Sequence, residues 1–293
     1  MGTVLLLNAL PWYTRWPSKC GILALTLLVV CFPYPRTLVR HLQHVHNPNA
    51  MIEPDAPALQ PLVDELRLTL GADLPPKEAL KTVEDFVYRK IPYEWDWNTW
   101  GTADYLPTVQ EALAMGKEDC DGQAVVAASL LRRLGFKADL VTDFAHMWVL
   151  TDVGETMSPG RRKAFVATDR GVQFQIQRSM LADIPRAMGL GIAVFPLGRE
   201  LIVLGVLWLL LLRAGGGVGC GLAAAAFLVN GLLFLRIGGK LYDHPIVWRQ
   251  LVGVANLAVG FVALWGWARY NALRAERMRP EVHGHSVDDD NPM

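Results

Sequence analysis

Hydrophobic residues are arranged in two different ways along this chain. Long runs without charged residues lie near both ends, and shorter periodic patterns fill the region between them. The long runs span residues 20–35, 201–212, 214–235 and 250–268. A helix needs about 20 mostly apolar residues to cross a bilayer, so the last two runs are long enough as they stand.

The first two runs are shorter and cross a membrane only with help from their flanks. Residues 20–35 gain length from Trp16 and Tyr34 as interfacial anchors, and residues 201–212 gain it from charged side chains that extend toward the headgroups. The alternatives are a signal peptide for the first run and an interfacial or re-entrant helix for the second. A cleaved signal is disfavoured because PYPR at 33–36 lacks the small residues of a cleavage site. We therefore expect about four transmembrane helices.

Basic residues predict the orientation of these helices. Four arginines follow the last run and place the C-terminus in the cytoplasm. They are Arg269, Arg274, Arg277 and Arg279. Counting back through three crossings, residues 36–198 lie on the external, periplasmic side of the cytoplasmic membrane. Loop 236–249 is also basic although it would be external, and if residues 201–212 do not cross, the same counting moves the middle region to the cytoplasm.

The middle region shows helical periodicity first and strand periodicity afterwards. Apolar spacing predicts helices at residues 59–70 and from Pro76 onward, and a capping box at 108–111 begins a third. A fourth follows Cys120 and ends at Gly135. Alternation then predicts strands, with the last of them the weakest candidate. These strands are 136–143, 146–152, 163–168 and 172–177. The order predicts an α+β fold with helices packed on an antiparallel sheet.

Composition supports a membrane protein with one soluble domain. The 293 residues are 52% hydrophobic and 19% charged, with a mean hydropathy of +0.23, whereas soluble domains average about 25% charged residues. Because 28 basic residues balance 28 acidic ones, the strongly basic surface of a nucleic-acid-binding protein is excluded. We expect a transmembrane N-terminal region at 1–35, a soluble domain at 36–185, a membrane region at 186–270 and a disordered cytoplasmic tail at 271–293.

The soluble domain carries one cysteine and one histidine suited to nucleophilic chemistry. The other three of the four cysteines lie in apolar runs, so Cys120 has no partner for a disulfide within the domain. Cys120 begins a predicted helix, where unpaired amides favour the thiolate, although Asp119 and Asp121 oppose that effect. His146 lies on a following strand and is the only histidine in residues 47–243. If this domain contains a Cys–His nucleophile pair, the pair therefore consists of Cys120 and His146.

Three sequence blocks carry a resemblance to a known family. They are WGTADYLPTVQEALAMGKEDCDGQAVVAASLLRRLG at 100–135, HMWV at 146–149 and ATD at 167–169. This region resembles the transglutaminase-like superfamily, and most closely its bacterial transglutaminase-like cysteine peptidases. The resemblance implies a papain-like Cys–His–Asp site: Cys120 attacks an amide carbonyl, His146 transfers the proton and an aspartate orients the imidazole. The family usually has glycine before the Asp-Cys pair, whereas this chain has Glu118 there and Gly122 after it.

Two aspartates follow His146 and are candidates for the orienting acid. Asp152 lies on the same predicted strand, about 20 Å from His146 at about 3.3 Å per residue. If residues 157–160 form the centre of a hairpin, opposed residues have numbers that sum to about 315, so His146 faces Asp169 and Asp152 faces Lys163. We therefore expect the site to consist of Cys120, His146 and Asp169.

No metal and no cofactor are expected. Asp119 and Asp121 occupy the place where some peptidases of this family bind calcium, but two carboxylates fall far short of the roughly six to eight oxygens that the ion takes. His41, His44 and His46 have no cysteine or carboxylate at ligand spacing.

The sequence therefore predicts a membrane-anchored thiol enzyme that cleaves or rearranges an amide bond. Its expected partners are a peptide or protein substrate near the membrane and the lipid bilayer, with no nucleic acid. Hydrolysis is favoured over transamidation because water is the default acceptor. Two alternatives remain: a catalytically silent binding or assembly module of the same fold, and a membrane transport or scaffold protein in which the soluble domain is an insertion.

Overall fold

The fold is that of a computed structural model, which describes residues 7–8, 10–70, 75–168, 171–212, 218–241 and 244–277. The helices of its first part are α1 (Trp12–Cys31), α2 (Pro35–His46), α3 (Gln60–Thr69), α4 (Pro76–Lys90), α5 (Asp96–Thr99), α6 (Val109–Met115) and α7 (Cys120–Arg133). The strands that follow are β1 (Ala138–Thr142), β2 (Met147–Thr151), β3 (Glu155–Thr156), β4 (Phe165–Thr168) and β5 (Gly171–Phe174). This succession of helices and then an antiparallel sheet confirms the α+β prediction.

Several helix boundaries follow signals in the sequence. The Thr108 side chain accepts from the Glu111 amide at 3.3 Å, and the Glu111 carboxylate accepts from the Thr108 amide at 2.9 Å, which confirms the capping box of α6. Gly116 ends α6 with a φ of 68°, a conformation that glycine adopts without strain. The apolar residues that recur at helical spacing in α4 are buried, namely Leu80, Val83, Phe86 and Val87.

Helix α7 forms the centre of the α+β domain. Every residue from Gly122 to Leu131 is buried, as expected for a helix that is apolar on nearly all sides. It packs against β1 and β2 of the sheet and against α4 and α6. The sheet is antiparallel, with the strand order β3-β2-β1-β4-β5. Cys120 therefore lies at the start of the most extensively buried helix of the domain.

The strand pairing differs from the prediction. A hairpin centred on residues 157–160 would pair the strand after His146 with the strand at 163–168. Instead, β2 pairs with β1, where Trp148 lies opposite Val141, and with β3, where Val149 lies opposite Thr156. Strand β1 separates β2 from β4. The hairpin prediction is wrong because it overlooked β3, whose two residues are too few to show an alternating pattern.

The described chain continues with α8 (Asp183–Val194), α9 (Leu197–Leu211), α10 (Val218–Gly239) and α11 (Val247–Arg277). Two segments, Val218–Gly239 and Val247–Gly266, are long and apolar enough to cross a membrane. The pairs α1 with α2 and α8 with α9 are long and apolar enough only when each pair is taken together, and they are bent by 86° and 108°. Where the sequence predicts about four membrane helices, the described residues contain two candidates, or up to four if each bent pair forms one span.

Glycines bring α10 and α11 into close contact. A Cβ atom on Gly231 would lie 2.8 Å from the carbonyl oxygen of Gly253, and one on Gly253 would lie 2.9 Å from the carbonyl oxygen of Gly231. Small residues allow such an approach between helices in lipid. At the end nearest the α+β domain, Arg199 of α9 donates to the Gly101 carbonyl oxygen at 2.8 Å. The helices are thereby joined to the α+β domain.

Candidate active site

Cys120 is the first residue of α7, at the helix start that the sequence predicts. Asp119 caps the helix, because its Oδ1 atom accepts from the Asp121 amide at 2.9 Å. The Cys120 thiol donates to Oδ1 of Asp121, with an Sγ to Oδ1 distance of 3.5 Å, and its Sγ atom accepts from the backbone amide of Met147. Since Met147 directly follows His146, the starts of α7 and β2 meet at the thiol.

His146 directly precedes β2 and is held by a turn that begins at Asp143. Oδ1 of Asp143 accepts from the amides of Ala145 at 2.7 Å and His146 at 2.8 Å. Oδ2 of Asp143 lies 2.7 Å from Nε of Arg161 in an ion pair. The imidazole stacks on the Trp148 indole, with the ring centroids 6.2 Å apart. The turn and the indole together fix the backbone of His146 and one face of its ring.

The edge of the imidazole is bonded to the main chain. Nε2 of His146 lies 3.0 Å from the carbonyl oxygen of Met157. Because a carbonyl oxygen only accepts, Nε2 carries the proton in this hydrogen bond, and Nδ1 is the acceptor of the neutral ring. Met157 has a φ of 58°, the only positive φ of a non-glycine residue in the described part of the chain. Its amide donates to Oε2 of Glu84 at 2.7 Å.

Burial sets the protonation states at this site. It raises the pKa of the Cys120 thiol well above its usual range, the negative charges of Asp121 and Asp119 raise it further, and the hydrogen bond from Met147 opposes them. Burial also lowers the pKa of His146. The raised pKa contradicts the predicted thiolate, because burial and the two aspartates disfavour the charged form of the sulfur. The resting pair is a thiol and a neutral imidazole.

Buried carboxyl groups line the other side of the thiol. Burial raises the pKa of Asp96 to about 10, that of Glu118 to about 8 and that of Asp119 to about 7, and nearby carboxylates add to each effect. The Trp100 indole donates to the Glu118 carboxylate at 3.0 Å, and the Tyr105 amide donates to Oδ2 of Asp96 at 2.5 Å. At neutral pH, much of the negative charge of this cluster is therefore neutralised by bound protons rather than by counter-ions.

Two groups of side chains place possible metal ligands close together. Asp119, Cys120 and Asp121 form one group, and Asp96, Glu118 and Asp119 form the other, with the ligand atoms of each group within 4.8 Å of one another. Each group offers three ligand atoms, which is about half of what calcium takes. The reaction proposed below uses no metal.

Asp169, the predicted orienting acid, lies outside the described residues. Thr168, the residue before it, ends β4, and the register through β1 places Thr168 level with Leu150 of β2. At about 3.3 Å per residue and about 4.8 Å per strand, Thr168 lies roughly 16 Å from His146. Asp152, the other candidate, follows β2 and is exposed. The pairing that selected Asp169 in the sequence is therefore absent from the sheet.

Two of the three histidines of α2 hold the loop before α6. Nδ1 of His44 lies 2.6 Å from the carbonyl oxygen of Leu106, and Nδ1 of His41 accepts from the Leu106 amide at 3.3 Å. Both rings also lie against the Tyr105 ring, at centroid distances of 5.9 and 6.4 Å. These contacts give His41 and His44 a structural role.

A cleft of approximately 650 Å³ adjoins the residues that position the thiol and the imidazole. Met147 lines it, and its polar residues are His46, Asp104, Thr142 and Asp143. The remaining walls are mostly apolar and come mainly from β1, β4 and β5, including Leu140, Val141, Phe165, Ala167, Val172 and Phe174. A cleft of this volume falls within the usual range of about 300–1,000 Å³ for ligand sites.

A row of aromatic rings leads from the thiol toward the apolar helices that follow the α+β domain. Tyr93 pairs with Glu118, two residues before Cys120, in an isolated β-bridge. The ring centroids of Tyr93 and Trp95 lie 5.1 Å apart, those of Trp95 and Trp97 lie 4.9 Å apart, and those of Trp97 and Phe195 lie 5.8 Å apart. Trp97 and Phe195 line an apolar cavity of approximately 480 Å³, whose walls also include residues of α1, α9, α10 and α11.

Four residues that support His146 were not predicted from the sequence, namely Glu84, Asp143, Met157 and Arg161. Asp143 carries a readable signal, since an aspartate that follows a strand and begins a turn often accepts from the next amides. Glu84 and Met157 carry no comparable signal. Their roles depend on a left-handed backbone conformation at a methionine, which local patterns do not indicate.

Comparison with known families agrees with this geometry. The model of the transglutaminase-like superfamily matches residues 65–175, which contain α4, α7, all five described strands, Cys120 and His146. This part of the chain is therefore a transglutaminase-like superfamily domain. No curated protein matches the chain.

Proposed function

We propose that the domain is a thiol enzyme that cleaves or rearranges an amide bond of a peptide or protein near the membrane, with Cys120 as nucleophile and His146 as general base. The observation that carries this proposal is the contact between the starts of α7 and β2, where the Met147 amide donates to Cys120 Sγ beside His146. The superfamily match supports the same chemistry, because the superfamily includes cysteine peptidases and transglutaminases.

As the Cys120 sulfur attacks, its proton moves to Nδ1 of His146, since Nε2 donates to Met157. The sulfur forms a bond to the substrate carbonyl carbon, whose oxygen becomes an oxyanion. The carbon–nitrogen bond then breaks as the imidazolium donates its proton to the leaving amine. Water then releases the acyl group in hydrolysis, and a second amine releases it in transamidation. Because the pair rests as a neutral thiol and imidazole, the base acts within the attack step.

The backbone amide of Cys120 is the candidate donor to the developing oxyanion. The neighbouring amides already have acceptors, because the Asp121 amide donates to Asp119 and the Asp119 amide donates to the Glu118 carboxylate. Amides in the first turn of a helix lack an acceptor within the helix. A substrate carbonyl oxygen bound at the start of α7 would meet the Cys120 amide there.

Two features support a polypeptide substrate held close to the membrane. The cleft beside Met147 has a mostly apolar wall that suits the side chains next to the scissile amide. The aromatic row from Tyr93 to Phe195 connects the thiol region to the helices that carry the candidate spans. Partly exposed aromatic rings are favoured where a protein surface meets lipid headgroups.

The packing of α9 along α10 supports a third crossing. Near one end of the pair, Glu200 of α9 forms an ion pair with Arg236 of α10. Near the other end, the Trp208 indole of α9 donates to the Gly221 carbonyl oxygen of α10 at 2.9 Å. Helix α9 therefore lies beside most of a candidate span, and the bend before it lies at the end nearest the soluble domain.

The packing of α1 along α9 supports a fourth crossing. Lys19, in the first half of α1, donates to the Leu210 carbonyl oxygen at the end of α9. Arg199, at the start of α9, donates to the Val30 carbonyl oxygen near the end of α1 at 3.3 Å. Four antiparallel crossings would place the transglutaminase-like domain outside and the arginine-rich C-terminus in the cytoplasm.

An activity probe tests the proposed function. A fluorescent peptidyl acyloxymethyl ketone, which alkylates catalytic thiols, is applied to the full-length protein in detergent. We expect labelling at Cys120 that is abolished by Cys120→Ala and slowed about a hundredfold by His146→Ala, as for loss of a general base. Cys220→Ala is the matched control and labels as the wild type does. A folded protein that takes up no probe, or that labels equally fast with His146→Ala, would contradict the proposal.

A catalytically silent binding module of the same fold is the second candidate function. It is favoured by one observation, namely that the thiol hydrogen bond goes to Asp121 rather than to the imidazole. Such a module would bind peptides in the cleft equally well with Cys120→Ala and would not react with the probe. Peptide binding to both proteins, measured by fluorescence anisotropy alongside the labelling rates, separates the two functions.

A further inference from the structure

The orientation of His146 depends on a residue of another helix. We propose that Glu84 of α4 is a positioning residue, which holds the Met157 backbone so that its carbonyl oxygen faces Nε2 of His146. A main-chain carbonyl then takes the place of the orienting acid. This inference rests on the proposed function of Cys120 and His146 and explains how their geometry is maintained.

The carboxylate of Glu84 is fixed on both of its oxygens. Oε2 accepts from the Met157 amide at 2.7 Å and from the Thr156 hydroxyl at 3.0 Å, and Oε1 accepts from Nζ of Lys81 at 2.7 Å. Burial alone would raise the pKa of Glu84, but these hydrogen bonds together lower it. The group is thus ionised at neutral pH and is a strong acceptor for the Met157 amide.

Met157 needs such an anchor because its backbone is strained. A φ of 58° is unfavourable for a residue with a side chain. The described ladder between β2 and β3 ends where Val149 faces Thr156, one residue before Met157. The Thr156 hydroxyl also lies 3.2 Å from the Leu80 carbonyl oxygen, so α4 contacts this segment at two points. The left-handed residue turns the chain away from the ladder and brings its carbonyl oxygen to His146.

A carbonyl oxygen meets the geometric requirement for orienting the imidazole. The partner must accept from one ring nitrogen and leave the other free to take the thiol proton. Met157 does so at 3.0 Å without adding a charge. The other charged groups that act on the ring, Asp143 and Arg161, have opposite signs and form an ion pair with each other. The ring orientation therefore depends mainly on the Met157 carbonyl, and through it on Glu84.

The experiment compares Glu84→Ala, Glu84→Gln and Asp85→Asn in the full-length protein. Asp85 is the matched control, because it also pairs with Lys81, at 3.0 Å, and it lies next to Glu84 on the same helix. The imidazole tautomer of His146 is measured by nitrogen-15 NMR, and kcat and KM for a peptide substrate are measured across pH. In the wild type, we expect the tautomer with the proton on Nε2.

With Glu84→Ala, we expect a mixture of tautomers and at least about a tenfold lower kcat, with KM changed less than about twofold. Glu84→Gln restores the wild-type tautomer and most of kcat, because its amide oxygen can accept the same two hydrogen bonds. Asp85→Asn behaves as the wild type does. If Glu84→Ala does not fold, Glu84→Asp is used, since it keeps the charge but withdraws the carboxylate by one methylene and gives the same tautomer mixture.

Two results would overturn the inference: a wild-type tautomer and pH profile with Glu84→Ala or Glu84→Asp, or equal losses with Asp85→Asn. Failure of the proposed function is distinguishable, because Cys120→Ala would then have the same peptide-cleaving activity as the wild type. In that case the tautomer measurement still decides whether Glu84 positions His146.

Discussion

The side chain of Glu118 occupies the space that a side chain at Gly122 would need at the start of α7. A Cβ atom at position 122 would lie 2.5 Å from Cγ and 2.7 Å from Cβ of Glu118, which is closer than atoms can pack. In the superfamily pattern that this domain resembles, the glycine precedes the Asp-Cys pair. Here the glutamate takes that place, and the glycine after the thiol makes room for its side chain. The two departures from the pattern therefore compensate each other.

Gly122→Ala tests this compensation. We expect the substitution to destabilise the domain by about 1–3 kcal/mol, as for an overpacked buried site. The midpoint of thermal unfolding in detergent measures the effect. In a Glu118→Gly background the same substitution should cost much less, because the Cβ and Cγ atoms that the new methyl group would meet are both gone. Equal costs in the two backgrounds would mean that Glu118 moves aside freely.

Glu118→Gln tests the protonation of the buried carboxyl cluster. The folded-state pKa of Glu118 is raised to about 8, whereas that of an unfolded glutamate is about 4.3. The stabilising contribution of this group is complete below the unfolded value and is lost as the pH rises toward and through about 8. Glutamine keeps an acceptor for Trp100 but does not ionise. We expect the unfolding midpoint of the wild type to fall more steeply between pH 5 and 9 than that of the variant, and parallel curves would contradict the raised pKa.

Alkylation of Cys120 tests the raised thiol pKa. In a variant with the other three cysteines replaced by alanine, we expect iodoacetamide at pH 7 to react at least about tenfold more slowly with folded than with denatured protein, since each added pKa unit removes about nine-tenths of the thiolate. The rate in the folded state should rise steadily with pH. Faster reaction in the folded state would contradict the raised pKa and would support the thiolate predicted from the helix start alone.

The long periodic elements were predictable because their signals extend over many residues. Helix α4 shows its buried face in the spacing of Leu80, Val83 and Phe86, and Gly135 marks the end of α7. Strand β3 has two residues and no such pattern, so the strand order could not be read from the sequence. The run at 20–35 also concealed a bend, because α1 ends at Cys31 and α2 begins at Pro35.

The candidate site divides in the same way. Residue type and helix position were sufficient to select Cys120 and His146. The support of His146 depends on where a backbone turns at Met157 and on which helix lies beside it. Both follow from tertiary packing, which places Glu84 and Met157 together although 72 residues separate them in the chain. The sequence selects Asp169 by pairing the strand after His146 with the strand at 163–168. In the sheet, β3 occupies that position beside β2.

Surface labelling tests the orientation in the membrane. Pro159 lies on an exposed turn of the soluble domain, and Arg277 ends α11. In a variant without native cysteines, we expect Pro159→Cys to react with an impermeant maleimide added outside spheroplasts, and Arg277→Cys to react only after permeabilisation. The basic C-terminus is expected in the cytoplasm, so the loop before α11 is expected outside. Two crossings, α9 and α10, separate that loop from the domain, which is therefore expected outside as well. Protection of Pro159→Cys in intact spheroplasts would mean that α9 does not cross.

Asp169→Asn decides between an acid and a main-chain carbonyl as the partner of His146. The sequence favours Asp169 through a hairpin, but Thr168 ends β4 level with Leu150, two strands from the one that follows His146. We therefore expect Asp169→Asn to keep more than about half of the wild-type kcat, and Asp152→Asn to do the same, whereas Glu84→Ala loses at least about tenfold because it frees the Met157 carbonyl. The peptide substrate and pH range are the same for all three variants. A loss of several hundredfold with Asp169→Asn and full activity with Glu84→Ala would return the orienting role to the aspartate, since removing the acid of a working triad causes losses of that order or larger.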